Sequence, residues 1–255
     1  MGWDALALAA LGGALVGLLL TLFGGGGSVL ATPWLIYVVG VTDAHLAIGT
    51  SAAAVAVNAA TGLAAQARAG RVKWPCASVF AASGLIGALA GAHLAKQVDG
   101  RALLTWFALA MIAIAVSMLL PRRSEGDPGV HLQPRMVLRL APVGLATGLA
   151  AGFFGIGGGF LIAPGLMAAT GMTLANAGAS SLVSVALFGS ATSASYAASG
   201  LVSWPLFLAL VAGGGIGTLA AMPFAERLAK RQRLGRALFA MIVIAVAVYI
   251  LTMAK

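Results

Sequence analysis

Charge is what this chain has least of. Asp, Glu, Lys and Arg make up only 8% of its 255 residues, and 61% are hydrophobic, where an ordinary soluble domain carries roughly 25% charged residues. That imbalance excludes a soluble globular domain and predicts an all-α polytopic membrane protein. No Asp, Glu, Lys, Arg or His lies between Arg139 and Glu226, and only His45 breaks the tract from Asp43 to Arg68. At about 20 residues for each membrane-crossing helix, the longer tract alone needs several segments.

Other absences narrow the chemistry. A single cysteine, Cys76, rules out an internal disulfide and a multi-cysteine metal site, and reads as a small packing residue. No carboxylate or cation lies deep inside any apolar segment, and there is no HExxH arrangement. No Walker-type loop occurs either, because the glycine runs lack the Lys-Ser/Thr ending that such a loop needs. The expectation is therefore no enzyme, no cofactor, no metal and no nucleotide-driven pump. The net charge of +9 sits in short connections, where it sets orientation in the membrane rather than marking a nucleic-acid partner. The amino-terminal Met1-Gly2-Trp3-Asp4 has no basic stretch ahead of its apolar run, which argues against a cleaved signal peptide.

What the chain does have is glycine, 35 residues of it, concentrated at two places. Gly24-Gly25-Gly26-Gly27-Ser28 lies in the middle of an apolar tract with Pro33 downstream. At an offset of 131, Gly155-Ile156-Gly157-Gly158-Gly159 lies in the same setting with Pro164 downstream. Small residues also let membrane helices pack closely, but two such runs at matching positions read as broken helices around a central site. Beyond them the register shifts to 130. Ser180-Ser181 answers Thr50-Ser51, Gly200-Leu201-Val202-Ser203-Trp204-Pro205 answers Gly70-Arg71-Val72-Lys73-Trp74-Pro75, and Gly214 and Gly217 answer Gly84 and Gly87.

The expected organisation is a first transmembrane repeat at 1–120, a cytoplasmic linker at 121–139 and a second repeat at 140–255. Each repeat holds a glycine-broken helix pair followed by three membrane helices. In the first half the helices are expected at 5–23, 28–40, 44–67, 74–95 and 102–120. The second piece, about 20 Å long at 1.5 Å per residue, is too short to cross a hydrocarbon core of about 30 Å alone. Gly84, Gly87 and Gly91 share one helix face suited to close contact, and the glycine-free 102–120 segment is expected to face lipid.

Matching turns carry opposite charge. The turn at 68–73 has Arg68, Arg71 and Lys73, whereas 198–203 has no charge; the turn at 96–101 has Lys96, Asp99 and Arg101, whereas 226–236 is strongly basic. With the basic side inside, all of the 15 Lys and Arg residues except Lys96, Arg101 and Lys255 are cytoplasmic. The halves then form inverted-topology repeats, both termini are periplasmic, and each glycine-linked pair makes either no crossing or two.

The remaining candidates for chemistry are neutral. Expected substrate-binding residues are Gly25, Gly26, Gly27, Ser28, Thr50, Ser51 and Asn58 in the first half, with Gly157, Gly158, Gly159, Ser180 and Ser181 in the second. Thr32, Thr61, Gln66, Ser184, Ser190, Thr192, Ser193 and Tyr196 complete the polar inventory. Helix pieces beginning near Ser28 and Gly159 would point N–H groups at the break, which attracts an anion without a buried cation. A cation held by carbonyls is the alternative, disfavoured by the missing carboxylate. Single Ser and Thr hydroxyls also bond to their own helix, and Gln66 is placed to reach the basic turn. His45 and His93 stand near segment ends and His131 in the linker; proton coupling would have to use such residues, water or the anion itself.

The two glycine runs with their prolines, Ala47-Ile48-Gly49-Thr50-Ser51, Gly70-Arg71-Val72-Lys73-Trp74, Ala179-Ser180-Ser181 and Gly200-Leu201-Val202-Ser203-Trp204 together resemble the sulfite exporter TauE/SafE family, over nearly the whole chain. The resemblance implies an inner-membrane protein that moves sulfur-containing anions such as sulfite or an organosulfonate, usually outward, with the glycine runs and the Thr50-Ser51 and Ser180-Ser181 pairs as its core. Its partners are then a small anion and membrane lipid. The expected function is a secondary transporter working by alternating access; a channel-like facilitator or a non-transporting membrane scaffold is the alternative.

Overall fold

The computed structural model describes residues 2–119, 126–155, 159–229 and 232–253. Ten α-helices follow one another: α1 Trp3–Phe23, α2 Ala31–Tyr37, α3 Ala44–Arg68, α4 Trp74–Ala95, α5 Gly100–Leu119, α6 Pro134–Phe154, α7 Gly159–Thr170, α8 Leu174–Ala197, α9 Trp204–Ala229 and α10 Gln232–Met253. Among the described residues there is no strand, only a bridge between Asp127 and Met172 that ties the linker to the α7–α8 turn. Among the described residues, six helices, α1, α3, α4, α6, α8 and the Trp204–Ala221 part of α9, are long and apolar enough to cross a membrane.

Helix limits follow local chemistry. Asp43 opens α3 by accepting from the backbone N–H groups of His45 and Leu46 at 2.8 and 3.3 Å, and Thr173 opens α8 by accepting from Asn176 at 3.3 Å; each relieves donors that a first turn leaves unpaired. Proline occupies the first turns of α4 and α6, where its missing N–H costs nothing. Gly70 and Gly200, with φ of +68° and +71°, close the turns after α3 and α8 in a left-handed conformation that side chains resist. The linker is shorter than expected: α6 starts at Pro134, so 134–139 are helical.

The first break also differs from expectation. Gly24–Leu30 is not an unwound loop before a helix starting at Ser28; it winds as a 3-10 helix that runs straight into α2 at Ala31. Glycine permits the tighter coil. From there the chain doubles back along α1. A Cβ on Gly27 would strike the backbone at Leu19 and Leu20, and further along Trp34 donates from Nε1 to the Leu8 carbonyl at 2.8 Å. The hairpin therefore returns toward the end where α1 began, so it changes sides either twice or not at all.

Packing pairs helices from different halves. α1 lies on α9 and α4 on α6, each pair parallel. A Cβ on Gly17 would collide with the Gly214 carbonyl, and one on Gly148 with the Gly84 carbonyl. These are the same contact 131 and 130 residues on, and they let backbones meet where there is no hydrophobic drive between helices. Gly87 and Gly91 face α6 in the same way. α5 packs on α10 through one face that buries Phe107, Ala108 and Met111, while Trp106, Leu109 and Val116 stay exposed on the other. The centre belongs to α3 and α8, which pack together in opposite directions: Gly49 meets Tyr196 and Leu201, Gly189 meets Ala52 and Ala56, and Gly62 meets Leu182.

Candidate functional site

The inner faces of α3 and α8 carry most of the buried polar side chains. Thr50, Ser51 and Asn58 on α3, and Ser180, Ser181, Ser184 and Thr192 on α8, are buried, as are Ser28 and Thr32 on the first hairpin. None of the buried side chains among the described residues is charged. A polar group in such surroundings must find a partner or hold water, so each hydroxyl reports its own role.

Thr50 and Ser180 do the same thing at opposite ends of the molecule. Thr50 Oγ1 accepts from the backbone N–H of Ser203 at 2.8 Å, and Ser180 Oγ accepts from that of Lys73 at 2.9 Å. Ser203 and Lys73 immediately precede α9 and α4. The two hydroxyls thus pin the start of the next membrane helix of the other half, and their placement ties the halves together.

Ser51 and Ser181 behave differently from one another. Both donate to their own helix, Ser51 to the Ile48 carbonyl at 3.0 Å and Ser181 to that of Gly178 at 2.8 Å. Ser51 Oγ also lies 2.7 Å from Thr32 Oγ1, joining α3 to the hairpin. Ala163 occupies the place of Thr32 in the second half, so no such hydroxyl pair can form there.

The first break meets the second half directly. Gly24–Leu30, which contains Gly25, Gly26, Gly27 and Ser28, packs against α7 and α8 as well as α1. Gly157 and Gly158 lie outside the described residues. On either side of them, Gly155 ends α6 with φ of +67°, where a Cβ would strike Ile48, and Gly159 is buried at the start of α7.

Asn58 stands away from the hydroxyls. Its amide lies under Gly214 at the crossing with α9, with Nδ2 donating to the Leu210 carbonyl at 3.4 Å and Oδ1 buried without a partner. Phe188 fills the matching place against Gly84 in the other half. Gln66 accepts from Arg71 Nη1 at 3.3 Å. Ser184 Oγ, Thr192 Oγ1 and the Tyr196 hydroxyl are buried without partners; they fall four residues apart or a multiple of it, so they share one stripe of α8. Thr32 is the residue whose weight the sequence hides, because its partner Ser51 is 19 residues away.

A cavity of about 560 Å³ opens at the end of α3 far from the basic turn, bordered by the end of α2, the start of α3 and the α4–α5 turn. Asp43, His45, Asp99 and Arg101 line it. His45 stacks on Tyr196 with ring centroids 6.2 Å apart, and Lys96 donates to the Ser195 carbonyl and Ser199 hydroxyl at 3.2 and 3.3 Å.

Six helices of membrane-crossing length among the described residues, with two antiparallel central helices carrying buried neutral polar side chains, make this a multi-pass membrane protein. The family described as Sulfite exporter TauE/SafE matches residues 9–250, and the chain belongs to that family. It is 46% identical over 244 residues to a "Probable membrane transporter protein" of Xylella fastidiosa, covering 94% of this chain and 92% of that one. It is 27% identical over 226 residues to the "Probable membrane transporter protein YunE" of Bacillus subtilis, covering 80% and 83%. No solved structure matches.

Proposed function

We propose that the protein is a secondary carrier that exports a small sulfur-containing oxyanion, sulfite or an organosulfonate, across the inner membrane by alternating access. The observation that carries this reading is the seam of neutral hydroxyls, Ser28, Thr32, Ser51 and Ser181, buried where the first hairpin meets α3 and α8. Neutral donors coordinate an oxyanion one hydrogen bond at a time, and bonds to a charged acceptor are stronger than neutral ones. A fixed buried cation would bind such an anion tightly and slow its release; the seam has none.

The halves serve as inverted repeats, with Thr50 and Ser180 holding the frame and the glycines of Gly24–Leu30 letting the first hairpin pack against α7 and α8. The basic side is cytoplasmic and both termini are periplasmic. Export then runs with the membrane potential, which favours each outgoing negative charge by about 2.3 kcal/mol per 100 mV, so proton coupling is not thermodynamically required.

The test is uptake and efflux of sulfite, sulfate, thiosulfate and organosulfonates in vesicles reconstituted with the purified protein, with and without a pH gradient. Saturable flux with counterflow supports a carrier. Flux that never saturates makes it a channel-like facilitator, and no flux of any of these anions rejects the reading.

A further inference from the structure

The cavity beside Asp43 and Asp99 is the outward continuation of the seam that holds the hydroxyl pair. Ile36 lies one helical turn beyond Thr32 on α2, and Ala44 lies two turns before Ser51 on α3; both line the cavity. At about 1.5 Å per residue, the cavity floor stands roughly 6–10 Å from the pair. Leu35 and Ala47, fully buried in one cluster, close the space between. The same two helices therefore carry the hydroxyls, a closed apolar layer and an open mouth, in that order.

The mouth has the wrong charge for holding an anion. Two carboxylates, Asp43 and Asp99, line it against one guanidinium, Arg101, and His45. Each carboxylate also caps a helix, Asp43 at α3 and Asp99 at α5, where Oδ2 accepts from the backbone N–H groups of Arg101 and Ala102 at 3.0 and 3.3 Å. The opposite end of α3 carries Arg68 and the turn Arg71–Lys73 that follows it, where the Lys73 backbone N–H donates to Ser180 Oγ.

We propose that this cavity is the exit vestibule of the carrier, and that Asp43 and Asp99 lower its affinity for the departing anion so that the outward-facing state releases it and resists recapture. The inference rests on the oxyanion-carrier reading. It concerns half-saturation and release at one face, since fixed charges in a carrier do not alter the equilibrium gradient.

Asn caps a helix about as well as Asp, so Asp43→Asn with Asp99→Asn removes the charge and keeps both caps; Asp43→Ser with Asp99→Ser does so with a different group. Sulfite half-saturation is measured separately from each face in vesicles of determined sidedness. For a charge within several ångströms in a partly wet cavity, the expected result is an external half-saturation about three- to tenfold lower, with the internal value unchanged. Arg101→Gln moves the external value the other way. An unchanged external half-saturation in both neutral pairs, an equal shift at both faces, or loss of flux in folded protein of both pairs overturns the exit vestibule while leaving the carrier reading intact. Absence of saturable oxyanion flux in the unsubstituted protein overturns the carrier reading, and this inference falls with it.

Discussion

Thr32 Oγ1 and Ser51 Oγ lie 2.7 Å apart and join the first hairpin to α3, where the second half has Ala163 in place of the threonine. Ser51 gives its proton to the Ile48 carbonyl, so in this state Thr32 gives its own to Ser51 Oγ; an oxyanion would take the Thr32 proton in place of Ser51, as a charged acceptor forms the stronger bond. Thr32→Val keeps the shape and removes the donor. The expected outcome is a substrate half-saturation raised about tenfold, the share of one hydrogen bond to a charged group, whereas Ser181→Ala raises it less. Equal effects of the two substitutions in a vesicle flux assay would place the anion symmetrically between the halves.

Thr50 and Ser180 call for the opposite result. Each accepts a backbone N–H that stands at the start of a membrane helix, and removing the acceptor deprives a part-buried donor of its partner at a cost of about 1 kcal/mol. Thr50→Val and Ser180→Ala are expected to lower the unfolding transition in detergent while the surviving protein keeps its half-saturation. A large rise in half-saturation without any loss of stability would return both residues to the binding site.

Gly17 and Gly148 make the same backbone-to-backbone approach at two crossings, α1 on α9 and α6 on α4. Gly17→Leu or Gly148→Leu is expected to abolish stable, monodisperse protein, since the collision is with backbone and has no flexible side chain to yield. Gly215 supplies the control: nothing lies within 4 Å of a Cβ there, so Gly215→Leu leaves expression and size-exclusion behaviour unchanged.

Much of this was legible from the residues alone, because a membrane forces the pattern onto the sequence. Long uncharged tracts, the prolines that open helices and the matched glycine runs placed α1, α3 and α4 within two residues at each end. Packing of the α4 glycines against another helix was readable from their spacing. Three things were not. Four glycines in a row signal departure from α-helix, yet a 3-10 coil and an open loop have the same composition, so Gly24–Leu30 was misjudged as to where its second piece begins. The Asn58 amide is readable as a costly polar group in an apolar helix, but its position under Gly214 appears only with the crossing of α9. The mouth at Asp43 and Asp99 joins residues 56 positions apart, and no local pattern announces such a meeting.

The turns at Arg71–Lys73 and Leu201–Ser203 bring the charge distribution to a test. They have the same backbone role, each preceded by a left-handed glycine and each tied down by a hydroxyl from the other half. The second turn has no charge of its own, with Lys96 bonding the end of α8 just before it, and in the first turn Arg71 bonds Gln66, so Arg68 and Lys73 are the cations to test. An approach lined with positive charge raises the local concentration of anions and their rate of entry, an effect that salt screens within about 8–10 Å at physiological strength. Arg68→Gln with Lys73→Gln leaves the backbone N–H of Lys73 on Ser180. It is expected to raise the internal half-saturation for sulfite severalfold at low ionic strength, to do so progressively less as salt is added, and to leave the external value alone. Initial rates of efflux measured against internal sulfite at two salt concentrations check it. A shift that ignores salt would mean that the two cations contact the anion directly instead of gathering it from solution.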